Sequence, residues 1–125
     1  MAQDDFSGIW HSTYRYHSSS RDGEFDNEHK VRVHQKGNQL VVESITAPHK
    51  SYLVLRLSID GDIATGSWEE HTEKDSYYKG AIYHGVIQLV IADDGHSMKG
   101  KWLGFGKNKE INVGPWELTY SGPAE

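Results

Sequence analysis

Glu24-Phe25-Asp26-Asn27-Glu28-His29-Lys30-Val31-Arg32-Val33 alternates in character from one residue to the next. Positions 24, 26, 28, 30 and 32 are all charged, while Phe25, Asn27, His29, Val31 and Val33 occupy the positions between them. A period of two is the spacing of a β-strand, in which successive side chains point to opposite faces. A helix would scatter the same charges around its whole circumference. The stretch therefore reads as a strand with one wet face and one covered face. It places two polar groups, Asn27 and His29, on the covered side.

Four triplets extend this reading along the chain. Gly8-Ile9-Trp10, Gly66-Ser67-Trp68, Gly100-Lys101-Trp102 and Gly114-Pro115-Trp116 contain all four tryptophans. On a strand the glycine and the indole share a face, and the glycine leaves room for a ring or a neighbouring backbone. Turn signals at 20–23, 36–38, 47–49, 60–62, 74–76, 93–95 and 106–108 separate eight extended runs: 8–19, 25–36, 39–46, 51–59, 63–73, 78–92, 97–105 and 110–120. Short connections favour antiparallel pairing of sequential strands. The expected fold is all-β, an eight-stranded antiparallel up-and-down barrel over residues 8–120, with tails at 1–7 and 121–125. An open sandwich of the same strands satisfies the same alternation. Trp10, Trp68 and Trp102 lie early in odd-numbered runs and Trp116 past the middle of an even one, and the connections at that end are tight, so it is expected to be a closed floor.

Composition narrows the class. The 125 residues suffice for one domain with its own core. No cysteine is present, which excludes disulfides and thiolate metal sites and suits a reducing compartment. The net charge of −5 disfavours a duplex nucleic-acid surface, which needs a basic face. No apolar run reaches membrane-spanning length, and Met1 to Gly8 lacks the features of a signal peptide. The expectation is a cytoplasmic protein without membrane contact.

Alternation also assigns the interior. Trp10, Tyr14 and Tyr16 share a face in the first run, as do Leu53, Leu55, Leu57 and Ile59 in the fourth. The fifth run turns Trp68, Glu70 and Thr72 inward, and the last turns Asn112, Trp116 and Leu118 inward. The third and sixth runs are apolar on both faces, and alternation does not assign them. Seven inward polar side chains fall beneath the rim opposite the floor: Tyr14, Tyr16, Asn27, His29, Glu70, Thr72 and Asn112. Unpaired burial of such groups costs about 1–3 kcal/mol each, so they must find partners in one another, in water or in a ligand. Aromatic walls with a few convergent polar groups describe a small-molecule site. With Tyr78, His84 and Lys107 from the rim and the sixth run, these residues form the expected ligand-binding set. Lys79 and Lys109 stand ready there to neutralise an anionic group.

Other readings use the same residues. His29 with Asn27 and Glu70 also describes a satisfied polar core. His29, His84 and Glu70 form a two-histidine, one-carboxylate set in principle, but hydrogen-bonding histidines are the expectation, with no metal or cofactor. An isomerase- or cyclase-like enzyme would use Glu70 as general acid or base. No nucleophile elbow, P-loop, dinucleotide fingerprint or zinc motif occurs, so binding is expected ahead of catalysis. A purely structural or interaction barrel is the third reading.

Gly8-Ile9-Trp10 at the head of the first run resembles the Gly-x-Trp signature of lipocalins and other calycins, which marks the closed end of their barrel. Tyr83-His84-Gly85-Val86-Ile87-Gln88-Leu89, the run from Met98 to Gly106, and Gly114-Pro115-Trp116-Glu117-Leu118 resemble small bacterial β-barrel domains, some attached to helix-turn-helix or signalling modules. These stretches are also loosely similar to the cyclic-oligonucleotide-binding barrels of certain anti-phage effectors. The layout is shared over nearly the whole chain, and particular residues over its second half. The resemblance implies a sensor or carrier barrel whose ligand is nucleotide-derived. This chain lacks the transmembrane helices of those effectors and any helix-turn-helix segment, so an output element would be a fused or separate partner.

Overall fold

The computed structural model describes residues 5–18, 23–45, 51–72, 82–105 and 109–123. Each extended run forms one strand: β1 (Gly8–Ser18), β2 (Gly23–Lys36), β3 (Gln39–Ser44), β4 (Tyr52–Asp60), β5 (Ile63–His71), β6 (Ile82–Ile91), β7 (Ser97–Phe105) and β8 (Ile111–Gly122). Every strand pairs antiparallel with its neighbour in sequence, and β1 also pairs with β8. The sheet therefore closes into a barrel with its strands in chain order, and the open sandwich is excluded. Closure removes the two unpaired edges that an open sheet would expose.

Both chain ends contribute more than tails. Phe6 is buried beneath the barrel, its N–H donating to Gln35 Oε1 at 2.7 Å and its carbonyl accepting from Trp10 Nε1 at 2.9 Å. Ser121 and Gly122 continue β8, where Gly122 lies opposite Ile9. The lower half of the lumen is filled by buried apolar residues such as Val31, Val33, Leu40, Leu57, Leu89 and Leu118.

The tryptophans do not all mark the floor. Trp10 does, packed against Phe6 and Tyr120 at centroid distances of 6.4 and 5.6 Å. Trp68, Trp102 and Trp116 instead meet halfway up the lumen. Trp68 lies 5.4 Å from Trp102 and 6.0 Å from Trp116, and Tyr14 stacks on Trp116 at 4.4 Å. The reason is position along the strand: Trp10 is near the start of β1, but Trp68 and Trp102 lie past the midpoints of β5 and β7. Their indole N–H groups donate to the Leu103 and Arg15 carbonyls and, for Trp116, to Ser12 Oγ.

Glycines make this packing feasible in two ways. At Gly66 and Gly100 an added Cβ would lie 1.7 and 1.9 Å from the carbonyl oxygens of Arg56 and Gln88, so these sites admit the neighbouring backbone. At Gly104 the added atom would meet the Trp68 ring at 2.5 Å, and at Gly114 it would meet both the Arg15 carbonyl oxygen at 2.2 Å and the Trp102 indole nitrogen at 2.7 Å.

Candidate functional site

The lumen is crossed by a hydrogen-bonded bridge. Tyr14 on β1 stands opposite Asn27 on β2, and Glu70 projects from β5, four strands away around the eight-stranded ring. The Tyr14 hydroxyl donates to Glu70 Oε1. Asn27 Nδ2 donates to Tyr14 Oη at 2.9 Å and to Glu70 Oε2 at 2.8 Å. Both amide protons of Asn27 and the phenolic proton of Tyr14 are thereby committed. What remains available is acceptor capacity: Asn27 Oδ1 and the unused lone pairs of the Glu70 carboxylate.

Burial shapes the titration of this bridge. Glu70 is 7% exposed, and desolvation raises its pKa above the usual 4.5, against the opposing pull of hydrogen bonds from Tyr14 and Asn27. Burial and the nearby Glu70 carboxylate push the Tyr14 phenol well above 10, so it remains a donor. The bridge joins a carboxyl group kept from its ordinary range to a phenol that stays protonated.

The inner wall changes character at this level. Tyr16 lies two residues rimward of Tyr14, Phe25 two rimward of Asn27, and Thr72 two rimward of Glu70. These three, with Tyr83 and Asn112, are half-buried, whereas the apolar wall beneath the bridge is closed to solvent. This ring of half-buried side chains above the bridge is termed the vestibule. Tyr16 and Phe25 line one side, their rings 5.7 Å apart.

His29 sits one inward position below Asn27, across from Ser12. It is buried, and its Nδ1 has no hydrogen-bond partner. Desolvation lowers its pKa below the usual 6.5. A histidine with a depressed pKa is accommodated as the neutral ring, so its contribution to stability is complete above pH 6.5 and is lost as pH falls through the lowered folded value. Replacing the ring also removes an unsatisfied buried atom, which ordinarily costs about 1–3 kcal/mol. His29→Leu is therefore expected to match or exceed the parent's stability at pH 8 and to flatten its decline between pH 6.5 and pH 5. Thermal melts at the three values check this; a large loss at pH 8 would mean that the ring has a partner.

The structure thus sorts the expected ligand-binding residues. Tyr14, Asn27 and Glu70 come together in the bridge, Tyr16, Thr72 and Asn112 line the vestibule, and His29 lies below. His84 does not join them. The alternation along β6 turns Tyr83 inward and leaves His84 exposed on the outer wall, opposite Glu69, where Glu69 also takes the His71 ring at 2.6 Å. The metal set of His29, His84 and Glu70 consequently does not converge. Among the described residues no other histidine and carboxylate group has metal-binding geometry. Tyr78, Lys79 and Lys107 lie outside the described residues, and Lys109 is exposed beside β8. Two inward residues with polar atoms escaped the sequence reading. Ser12, which accepts the Trp116 indole N–H, was legible from alternation between Trp10 and Tyr14, whereas Tyr83 sits on a strand that is apolar on both faces.

No helix among the described residues is long and apolar enough to cross a membrane. No protein-family model matches the chain, and no curated protein matches it.

Proposed function

We propose that the barrel binds a small molecule in the vestibule above the Tyr14–Asn27–Glu70 bridge and acts as a sensor or carrier module. The bridge carries this reading. It spans the lumen, its own donors are committed, and it offers acceptors toward the half-buried aromatic wall. A complementary ligand is flat and presents N–H groups, so that it lies against Tyr16 and donates to Glu70 and Asn27 Oδ1. The base of a nucleotide-derived messenger has that chemistry, and it agrees with the likeness to calycin-type and effector barrels. We place the protein in the cytoplasm, in keeping with its cysteine-free sequence, with output through a fused or partner module.

Thermal-shift screening against nucleosides, cyclic nucleotides, fatty acids and haem tests the reading. A ligand at 100 times its Kd stabilises the fold by about 2.7 kcal/mol. The shift is expected with a base-bearing ligand and is expected to disappear in Asn27→Leu, which removes both the amide donors and Oδ1. A panel without any shift, or one whose shift survives Asn27→Leu, would sink it.

The raised Glu70 pKa beside a phenol also favours a second reading, an isomerase- or cyclase-like enzyme with Glu70 as general acid or base. That reading requires turnover with a pH dependence that Glu70→Gln removes. Recovery of unchanged ligand from a stable complex would exclude it.

A further inference from the structure

The outer wall of the barrel has two sides of different chemistry. On β1 and β2 it is charged: Arg15 pairs with Asp26 at 2.8 Å, and His11 approaches Glu28 at 4.0 Å. On β6, β7 and β8 the outward positions include Val86, Val90, Leu103, Phe105, Ile111 and Val113, which are 37–65% exposed. Register makes five of them neighbours, while Val90 lies apart, opposite Lys99. Val86 lies opposite Leu103, Leu103 opposite Val113, and Phe105 opposite Ile111. Isolated exposed apolar residues are ordinary, but three adjacent strands sharing one apolar field are not. A shallow depression of about 380 Å³ lies within it, bordered by Val86, Leu103, Val113, Gln88 and Lys101.

We propose that this face is where two copies of the chain associate about a two-fold axis. The closed barrel has no free strand edge, so association by strand addition is unavailable and a face must serve. The five contiguous side chains leave on the order of 500 Å² open per chain, and Val90 with the flanking stems brings the face towards the roughly 800 Å² that each partner buries in a standard stable interface. Self-association requires self-complementarity, because residues near the axis meet their own copies. Apolar side chains satisfy that condition, whereas burying the wall of β1 and β2 would desolvate ion pairs such as Arg15–Asp26.

The arrangement of charge is compatible with one axis in particular. An axis along the row Val86–Leu103–Val113 sets each of these residues against its own copy. Lys101 and Phe105 flank Leu103 by two residues on either side of β7, so the same rotation lays Lys101 of each chain over Phe105 of the other. The ammonium group then meets an aromatic face rather than a second lysine. Lys99 already has Glu117 at 3.6 Å and needs no partner across the interface.

Sedimentation equilibrium of the full chain, together with cross-linking, tests the proposal. A dimer is expected, with its dissociation constant raised at least about 100-fold in Val86→Glu and Val113→Glu, since each sets a carboxylate against its own copy. Both sites are exposed, so the variants should keep the cooperative melt of a folded barrel. In this cysteine-free chain, Leu103→Cys should oxidise to a covalent dimer and Glu28→Cys should not. A chain that remains monomeric at about 100 μM overturns the proposal, including one whose apolar wall instead binds neutral lipid vesicles. A dimer unaffected by either glutamate substitution, or cross-linked equally well through position 28, overturns it too.

Discussion

Gly66→Ala is expected to destabilise the fold severely, and Gly100→Ala to do the same. In each case the new methyl group would lie within 2 Å of a carbonyl oxygen on the adjacent strand: 1.7 Å from Arg56 for Gly66 and 1.9 Å from Gln88 for Gly100. The obstacle is backbone held in a ladder, not the far end of a flexible side chain. Relief requires β4 to separate from β5, or β6 from β7, and a closed barrel has no loose edge to absorb the displacement. A loss above about 3 kcal/mol follows, a large part of the 5–15 kcal/mol that holds a typical domain together. Gly37 and Gly61 provide the contrast. Both have φ near +60° in turns with nothing within 4 Å of an added Cβ. Alanine there should cost only the left-handed penalty, about 1–2 kcal/mol. Urea denaturation of the four variants checks the ranking, and a Gly66→Ala protein no less stable than Gly61→Ala would refute the steric account.

The second large effect is expected at Glu70. Glu70→Ala removes the acceptor of the Tyr14 hydroxyl and one acceptor of the Asn27 amide, stranding buried donors at about 1–3 kcal/mol apiece. Relief of the buried carboxylate offsets part of this, and a net loss of about 2–4 kcal/mol is expected. The loss should couple to Tyr14→Phe: in a double-mutant cycle the two changes should cost less together than separately, by about 1–2 kcal/mol. The dependence on pH has a definite sign. The folded pKa of Glu70 is raised, so its favourable contribution is complete below the unfolded value of 4.5 and is lost as pH rises through the folded value. Glu70→Gln should remove that decline. The raised Tyr14 pKa acts in the same sense at higher pH, with its contribution lost as the solution passes above 10. Strictly additive losses, or identical pH profiles for parent and Glu70→Gln, would show that the bridge does not form in solution.

These two sites differ in how far the sequence reveals them. A glycine two residues before each tryptophan was visible, and so was the need for space at that point. Which occupant takes the space was not. At Gly66 and Gly100 it is the next strand alone, at Gly114 the next strand and an indole together, and only the closed ladder distinguishes them. The floor illustrates the same limit. Gly-x-Trp marks a strand wherever it occurs, but height in the barrel depends on where each strand begins, so one tryptophan reached the floor and three met halfway up.

By itself the sequence determined the eight strands, their order and the inward facing of Tyr14, Asn27, His29 and Glu70. All of this follows from local causes: pleating alternates neighbouring side chains, and short turns join neighbouring strands. The tertiary structure decided which of those residues meet. Tyr14 and Glu70 are 56 positions apart and on opposite walls, and they touch only because β1 pairs with β8 and closes the sheet. It also decided the two-sided β6, where apolar residues on both faces erase the alternation that would have separated Tyr83 from His84. There the facing is set by packing against Trp68, which requires Gly85 and Gly104 beneath its ring. A pairwise fit of that kind across separate strands leaves no period for a single strand to show.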